Sequence, residues 1–329
     1  MKDSIILASK ENVLSGKKIG FGEACALFES GRERPFVFIA AAADIRVHFR
    51  GRAVSLCSIL NAKSGRCRED CKFCAQSAHY RTNIEVYPLL RADEMVRAAS
   101  EAKRLGASSF GIVTSGVRIT NEAEWDEILK AIKEIGRIGI RPCASLGLIG
   151  KEEARELKNA GLYRCHHNLE TAPSYFKNIC TTHDYEDDVR TILAAQEAGL
   201  STCSGGIIGL GEDIGERIEL ALLLRDLGVD SVPVNILNPI PGTPLADVDG
   251  LPPMEILLTL AVFRFILPDR DIRLCGGKEK NLRQLLPLGM VAGASSLMTG
   301  NYLTTAGREA RLDREMILDL GLETALPEG

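Results

Sequence analysis

The sequence predicts an α/β fold, a TIM-type (β/α)8 barrel with N- and C-terminal helical extensions, on three observations. Short runs rich in Val, Ile and Leu recur eight times, segments of helical period with charged faces separate them, and a glycine follows most of those segments. Eight parallel strands are the number that closes such a barrel.

The strands are expected at 54–60, 108–114, 141–147, 162–169, 201–209, 231–237, 271–275 and 295–300. Helices are expected at 93–105, 122–135, 151–160, 186–198, 215–227 and, largely buried, 253–267, with Gly106, Gly136, Gly161, Gly199 and Gly228 following them as stops. A glycine-containing helix over 14–30 precedes the first strand and a closing helix over 308–322 follows the last. The expected organisation is an N-terminal helical extension over 1–50, the barrel over 51–305 and a C-terminal helical extension over 306–329. No low-complexity tract interrupts it.

Composition narrows the function. Hydrophobic residues make up 45% and charged residues 26% of the chain, enough apolar material for one large core and too ordered a balance for disorder. The formal charge of −4 and the absence of basic blocks argue against a nucleic-acid partner. Lys2, Asp3, Lys10 and Glu11 break up the first apolar stretch, so it does not fit a signal-peptide core, and 256–267 is too short and too polar to span a membrane. A cytoplasmic protein is expected. Ten cysteines in such a compartment point to metal binding rather than to disulfides.

Three of them, Cys67, Cys71 and Cys74, stand in a C-x3-C-x2-C pattern just after the first strand, at the mouth where barrel active sites lie. A four-iron cluster takes four terminal ligands, so three thiolates leave one iron open to chelation by a small molecule. Zinc is the alternative, with His79 as its fourth ligand, but the spacing is not that of ordinary structural zinc sites.

This pattern, with Phe73 beside the last cysteine, resembles the radical S-adenosylmethionine superfamily. The resemblance implies a [4Fe-4S] cluster whose open iron binds S-adenosylmethionine. An electron from the cluster then cleaves that cofactor to methionine and a 5′-deoxyadenosyl radical, which abstracts hydrogen from an unactivated carbon. No acid or base residue is required as a catalyst. The run Gly205-x-Ile207-x-Gly209-x-x-Glu212 is similar to the superfamily strand that lies along the adenosine, although a glycine-rich turn alone is a weak signal.

His166-His167-Asn168-Leu169-Glu170-Thr171, Val232-Pro233-Val234-Asn235, Gly242-Thr243-Pro244-Leu245 and Ile272-Arg273-Leu274 together resemble the biotin synthase family over about 56–305. In that family a second cluster, [2Fe-2S] in kind, sits deep in the barrel on cysteines from three strands and an arginine, and its sulfide enters the product. Cys143, Cys203 and Arg273 occupy matching positions. The second-strand cysteine does not: the sequence reads Ser109-Phe110-Gly111-Ile112, and Gly111 cannot bind iron.

Cys275 lies two residues beyond Arg273, hence on the same face of an extended strand, and is the alternative thiol. Cys143, Cys203 and Cys275 with Arg273 nearby would hold the second cluster. Space freed at Gly111 would admit a four-iron cluster carrying an additional sulfide on its open iron.

By the same resemblance, Asn168 and Asn235 hold the ureido ring of dethiobiotin, Glu170 binds the cofactor ribose, and Phe73, Gly205, Ile207 and Gly209 line the cofactor site. Cys57, Cys165 and Cys180 read as small buried hydrophobes without a ligand partner. The proline-rich stretch 239–244 reads as a stiff loop rather than a docking ligand.

The expected reaction is radical sulfur insertion converting dethiobiotin to biotin, with flavodoxin or ferredoxin as electron donor and a homodimeric assembly. The alternatives are another barrel enzyme of the superfamily, such as a hydrogenase-maturase-like protein, and a non-catalytic iron–sulfur electron carrier or zinc-stabilised module.

Overall fold

The computed structural model describes residues 2–325. Eight strands pair in parallel in chain order: β1 (Ala53–Lys63), β2 (Ser109–Thr114), β3 (Arg141–Ser145), β4 (Arg164–His166), β5, β6 (Ser231–Ile236), β7 (Asp271–Leu274) and β8 (Ser296–Met298). β8 pairs back onto β1 and closes the barrel. β5 is broken into Ser201–Cys203 and Gly206–Ile208, both lying along β6. At the break a Cβ on Gly205 would stand 2.0 Å from the Pro233 carbonyl oxygen, so only glycine lets the two strands approach so closely.

Alternation along each strand separates two environments. On β2, β3 and β4 the outward side chains Phe110, Ile112, Ala144 and Cys165 pack with Ala99, Ile128, Ile132 and Leu157 of the covering helices α4 (Ala92–Arg104), α5 (Glu122–Arg137) and α6 (Lys151–Asn159), the helices numbered in chain order after three N-terminal ones. The inward positions Ser109, Gly111, Cys143 and His166 line the interior. α7 (Tyr185–Glu197), α8 (Ile214–Asp226) and α9 (Pro253–Ile266) continue the outer ring.

α9 is apolar around its whole circumference because both of its faces are covered: every residue from Ile256 to Ile266 is buried. The covering layer is α2 (Phe21–Glu33) and α3 (Pro35–Arg50), which with α1 (Lys2–Leu14) form the N-terminal extension. Here the structure corrects the expected single helix over 14–30. Gly16, at φ +87°, turns the chain after α1, and Pro35 at the first position of α3 begins a separate helix.

Arg264 of α9 is fully buried and replaces its hydration shell with protein oxygens. It donates to the carbonyls of Gly293 (2.8 and 2.7 Å), Leu267 (3.0 Å), Pro268 (3.0 Å) and Arg270 (2.8 Å). Burial still brings its guanidinium down to about 9.

Beyond β7 the chain forms two short helices, α10 (Lys278–Leu282) and α11 (Leu286–Val291), and after β8 the closing helix is α12 (Ala310–Asp319). It is followed by an unexpected strand, β9 (Glu323–Thr324), which pairs with Ala53 and Val54. Gly136 does not stop α5, which runs on to Arg137 before Gly139 takes φ +75°. Among the described residues no helix is long and apolar enough to cross a membrane.

Candidate iron–sulfur and cofactor site

A cavity of about 440 Å³ runs from the mouth of the barrel into its interior. Its upper wall is the loop after β1, shaped by Gly65 at φ +77° and Arg66 at φ +57°. That loop folds on itself: Cys67 N–H donates to Gln76 O at 3.0 Å, Ala78 N–H to Cys67 O at 2.7 Å and Cys74 N–H to Cys71 O at 2.9 Å. Cys67, Cys71 and Cys74, all half-buried, therefore line one end of the cavity, and Phe73 packs beside them with Ile179, Leu210 and Leu237.

Without iron these thiols resist ionisation. Burial raises Cys67, and raises Cys74 to about 11, while Cys71 is pushed up by its hydrogen bond to Cys180 and then by burial. A cationic iron core reverses that balance by binding thiolate directly, so the three fit a cluster. His79, the alternative zinc ligand, is turned away: its Nε2 lies 2.9 Å from the Arg68 carbonyl.

Cys180 departs from its expected role as an unpartnered thiol. Its Sγ is 3.8 Å from Cys71 Sγ, 3.3 Å from His183 Nδ1 and 3.8 Å from Glu69 Oε2. Glu69, Cys180 and His183 bring ligand atoms within 4.8 Å of one another, a donor set able to hold a metal ion against the mouth loop. His183 also contacts Asp188 at 3.1 Å. Asp188, Cys180 and Glu69 raise its imidazole to about 12, and the bond from Cys71, helped by His183, brings Cys180 down to about 5. The sequence signal, His183 three residues after Cys180 in an unstructured stretch, was too generic to single out.

Asn168 and Glu170 extend the line of β4 and face the cavity, as Asn235 does from β6. Asn168 Nδ2 donates to Glu170 Oε2 at 3.3 Å, while its buried Oδ1 has no partner. Asn235 is held between Gly206 O (3.3 Å, from Nδ2) and Gly276 N–H (3.0 Å, to Oδ1). Burial raises the Glu170 carboxyl to about 7, and its φ of +62° turns the chain so that its carbonyl accepts from Ile207 N–H at 2.8 Å.

Ile207 lines the cavity, but Gly205 and Gly209 do not. Gly205 is used by the close approach to β6, and Gly209, at φ +89°, forms a turn against Leu251. Glu212 is buried behind that turn, accepting from the N–H groups of Gly209 (2.7 Å) and Leu210 (2.6 Å) and from Arg217 Nε at 2.6 Å.

Deeper in the cavity lie Cys143, Cys203, Arg273 and Cys275, joined by Cys57 and Arg164. Arg273 Nε donates to Ser296 Oγ at 2.9 Å and Nη2 to Asp271 Oδ2 at 3.1 Å. Burial opposes ionisation of Cys203, yet His166, Arg273 and Arg164 bring its thiol down to about 6. Cys143 is raised to about 11 by burial, and Cys275 well above the usual thiol range by burial and then Cys57. Cys165, with opposite parity on β4, packs outside the barrel with the helices. The space beside Gly111 is partly taken by Ile59, whose Cγ2 would lie 3.1 Å from an added Cβ.

A parallel barrel with three converging thiols at its mouth and, beneath them, a mainly apolar cavity carrying a few polar side chains defines a radical S-adenosylmethionine protein, and the model of that superfamily matches residues 62–236. A second model, the biotin and thiamin synthesis associated domain, matches 233–323. The chain is 50% identical to the biotin synthase of Pelobacter propionicus over 320 residues, covering 97% of this chain and 98% of that one. It is 52% identical to that of Geobacter sulfurreducens, covering 94% of each.

The chain belongs to the biotin synthase family. Solved structures share its fold at low identity: methylornithine synthase (TM-score 0.80, 18% identity, covering 97% of this chain and 98% of that one) and the FeFe-hydrogenase maturase HydG from Carboxydothermus hydrogenoformans (TM-score 0.77, 17% identity, covering 96% and 78%).

Proposed function

We propose that the chain converts dethiobiotin to biotin by radical sulfur insertion. The observation that carries this reading is a single cavity with thiols at both levels: Cys67, Cys71 and Cys74 at the mouth, and Cys143, Cys203 and Cys275 around Arg273 below. When bound, a [4Fe-4S] cluster with S-adenosylmethionine supplies hydrogen abstraction and a second iron–sulfur cluster supplies sulfur.

The chain's own groups position and seclude the reactants. Cys67, Cys71 and Cys74 would hold that cluster through three ligands, leaving a position for the amine and carboxylate of S-adenosylmethionine, and the apolar Phe73 and Ile207 line the same cavity, where they would help exclude water. Glu170 accepts from the cofactor ribose. The unpartnered Asn168 Oδ1 accepts from the ureido N–H of dethiobiotin, and Asn235, anchored by two backbone groups, has donor and acceptor capacity left for the same ring. A buried acceptor without a partner costs about 1–3 kcal/mol, and a bound ureido ring recovers it.

Flavodoxin or ferredoxin is the proposed electron donor, and a homodimer the proposed assembly. The test is strictly anaerobic turnover of the iron-reconstituted protein with dethiobiotin, S-adenosylmethionine and reductant. Biotin with two cofactors consumed per product is expected; cofactor cleavage with no thiolated product would refute the assignment.

A further inference from the structure

Gly111 removes one thiol from the ligand set of the inner cluster, and the barrel register identifies its replacement. Strand pairing traces a closed circuit. Cys57 on β1 pairs with Ser109, which pairs with Arg141, and Cys143 stands two residues further along β3. Cys143 pairs with Arg164, which pairs with Ser201, and Cys203 stands two residues on. Cys203 pairs with Ser231, which pairs with Asp271, and Arg273 stands two residues on. Arg273 pairs with Ser296, which pairs with Ser55, and Cys57 stands two residues on.

The circuit returns to its starting residue. In a barrel of this kind each interior layer takes one side chain from every second strand. Cys57, Cys143, Cys203 and Arg273 are therefore one layer, contributed by β1, β3, β5 and β7. Cys275 lies one pleat above Arg273.

The side chain of Cys57 points into that layer. Its neighbours of the same parity on β1 do so visibly: Ser55 Oγ is 2.6 Å from Ser296 Oγ, the group that accepts from Arg273, and Ile59 faces Gly111. Leu56, of opposite parity, is in the outer core. Cys57 itself is buried and lines the cavity.

We infer that Cys57 is a ligand of the inner iron–sulfur cluster, completing with Cys143, Cys203 and Cys275 a set of four thiols in place of the one missing at Gly111; this rests on the function proposed above. Arg273 is then a counter-ion rather than a ligand. Its Nε donates to Ser296 Oγ at 2.9 Å and its Nη2 to Asp271 Oδ2 at 3.1 Å, and a guanidinium held in such an ion pair has no lone pair to give iron. Four thiolates outweigh the charge of an iron–sulfide core, so the ligated cluster is an anion. Arg273 and Arg164, both facing the thiols, balance it.

The test uses the Cys67→Ala, Cys71→Ala, Cys74→Ala protein, reconstituted anaerobically, so that only the inner cluster remains. Iron, acid-labile sulfide, the visible absorption spectrum and the electron paramagnetic resonance spectrum are compared after adding Cys57→Ala, Cys57→Ser or, as a control for a buried thiol outside the barrel, Cys165→Ala. Loss of most of the iron and sulfide with Cys57→Ala, a shifted spectrum with the isosteric Cys57→Ser, and no change with Cys165→Ala are expected. Iron, sulfide and spectra unchanged in both Cys57 variants would overturn the assignment while leaving the inner cluster in place. No iron in the starting triple variant would overturn the cluster itself.

Discussion

Asn168 donates through Nδ2 to Glu170 Oε2 at 3.3 Å, yet its own carbonyl oxygen is buried with no partner. That asymmetry leaves an acceptor unsatisfied until a ligand N–H arrives. Asn168→Ala is expected to weaken dethiobiotin binding by roughly tenfold to a hundredfold, the cost of a buried hydrogen bond. Isothermal titration of the anaerobic holoprotein measures it. Unchanged affinity would remove Asn168 from the substrate site.

Glu170 is raised to about 7 by burial, so its carboxylate forms only as the pH passes through neutrality. Affinity for S-adenosylmethionine should therefore rise as the pH rises through about 7, because the ionised form is the stronger acceptor for ribose hydroxyls. Glu170→Gln should bind weakly with a flat pH profile. The sign for stability is opposite: the fold favours the protonated form, so the contribution present below the ordinary carboxyl range is lost as the pH climbs through about 7. Equilibrium dialysis across that range, with both proteins, decides whether the carboxylate is the acceptor.

At the mouth, the wild-type protein reduced to its cluster's paramagnetic state should change its resonance spectrum when S-adenosylmethionine is added. Cys71→Ala should abolish that response and lower the iron content while retaining the inner cluster's share. A persisting response in this variant would show that the cofactor does not meet the mouth cluster.

Gly205→Ala tests the fold independently of iron. The added Cβ would lie 2.0 Å from the Pro233 carbonyl oxygen, and backbone must move to relieve it. A loss of about 3 kcal/mol is expected from such overpacking, read as a lower urea midpoint at unchanged slope. A midpoint within error of wild type would mean that β5 and β6 separate freely at the break.

The barrel was legible because its signals are local. Alternating apolar runs, charged helix faces and glycine stops set β1 to β8 and their helices to within a few residues. The N-terminal extension was less legible. α3 packs against α9 and also against α1 and α2, so its run Pro35–Arg50 lacks a clean amphipathic period, and Gly16 divides the expected single helix. β9 is two residues long and has no signal of its own.

At the site, the mouth cysteines could be read from spacing and the parity of Cys275 from its distance to Arg273. Cys57 and Cys180 could not, since each acquires its neighbours from a different part of the barrel. Cys57 meets Cys143 and Cys203 only through the register of five strands, and Cys180 meets Cys71 across 109 positions of chain. Gly205 and Gly209 match a cofactor-strand pattern, and close approach to Pro233 and a positive φ require glycine at the same two positions, so the residue type alone does not separate the two demands.

β1 is 11 residues long, carries Cys57 near its start and passes directly into the loop that bears Cys67. From Cys57 to the strand's end is about 20 Å of extended backbone, hydrogen-bonded along β2 with one irregularity between Asn61 and Lys63, while the pairing with β8 ends at Cys57. This strand acts as a ruler: the gap between the two levels of thiols is written in residue count, with no hinge to vary it. A two-residue deletion between Cys57 and Lys63 would preserve which way every side chain faces and still shorten the space between the levels.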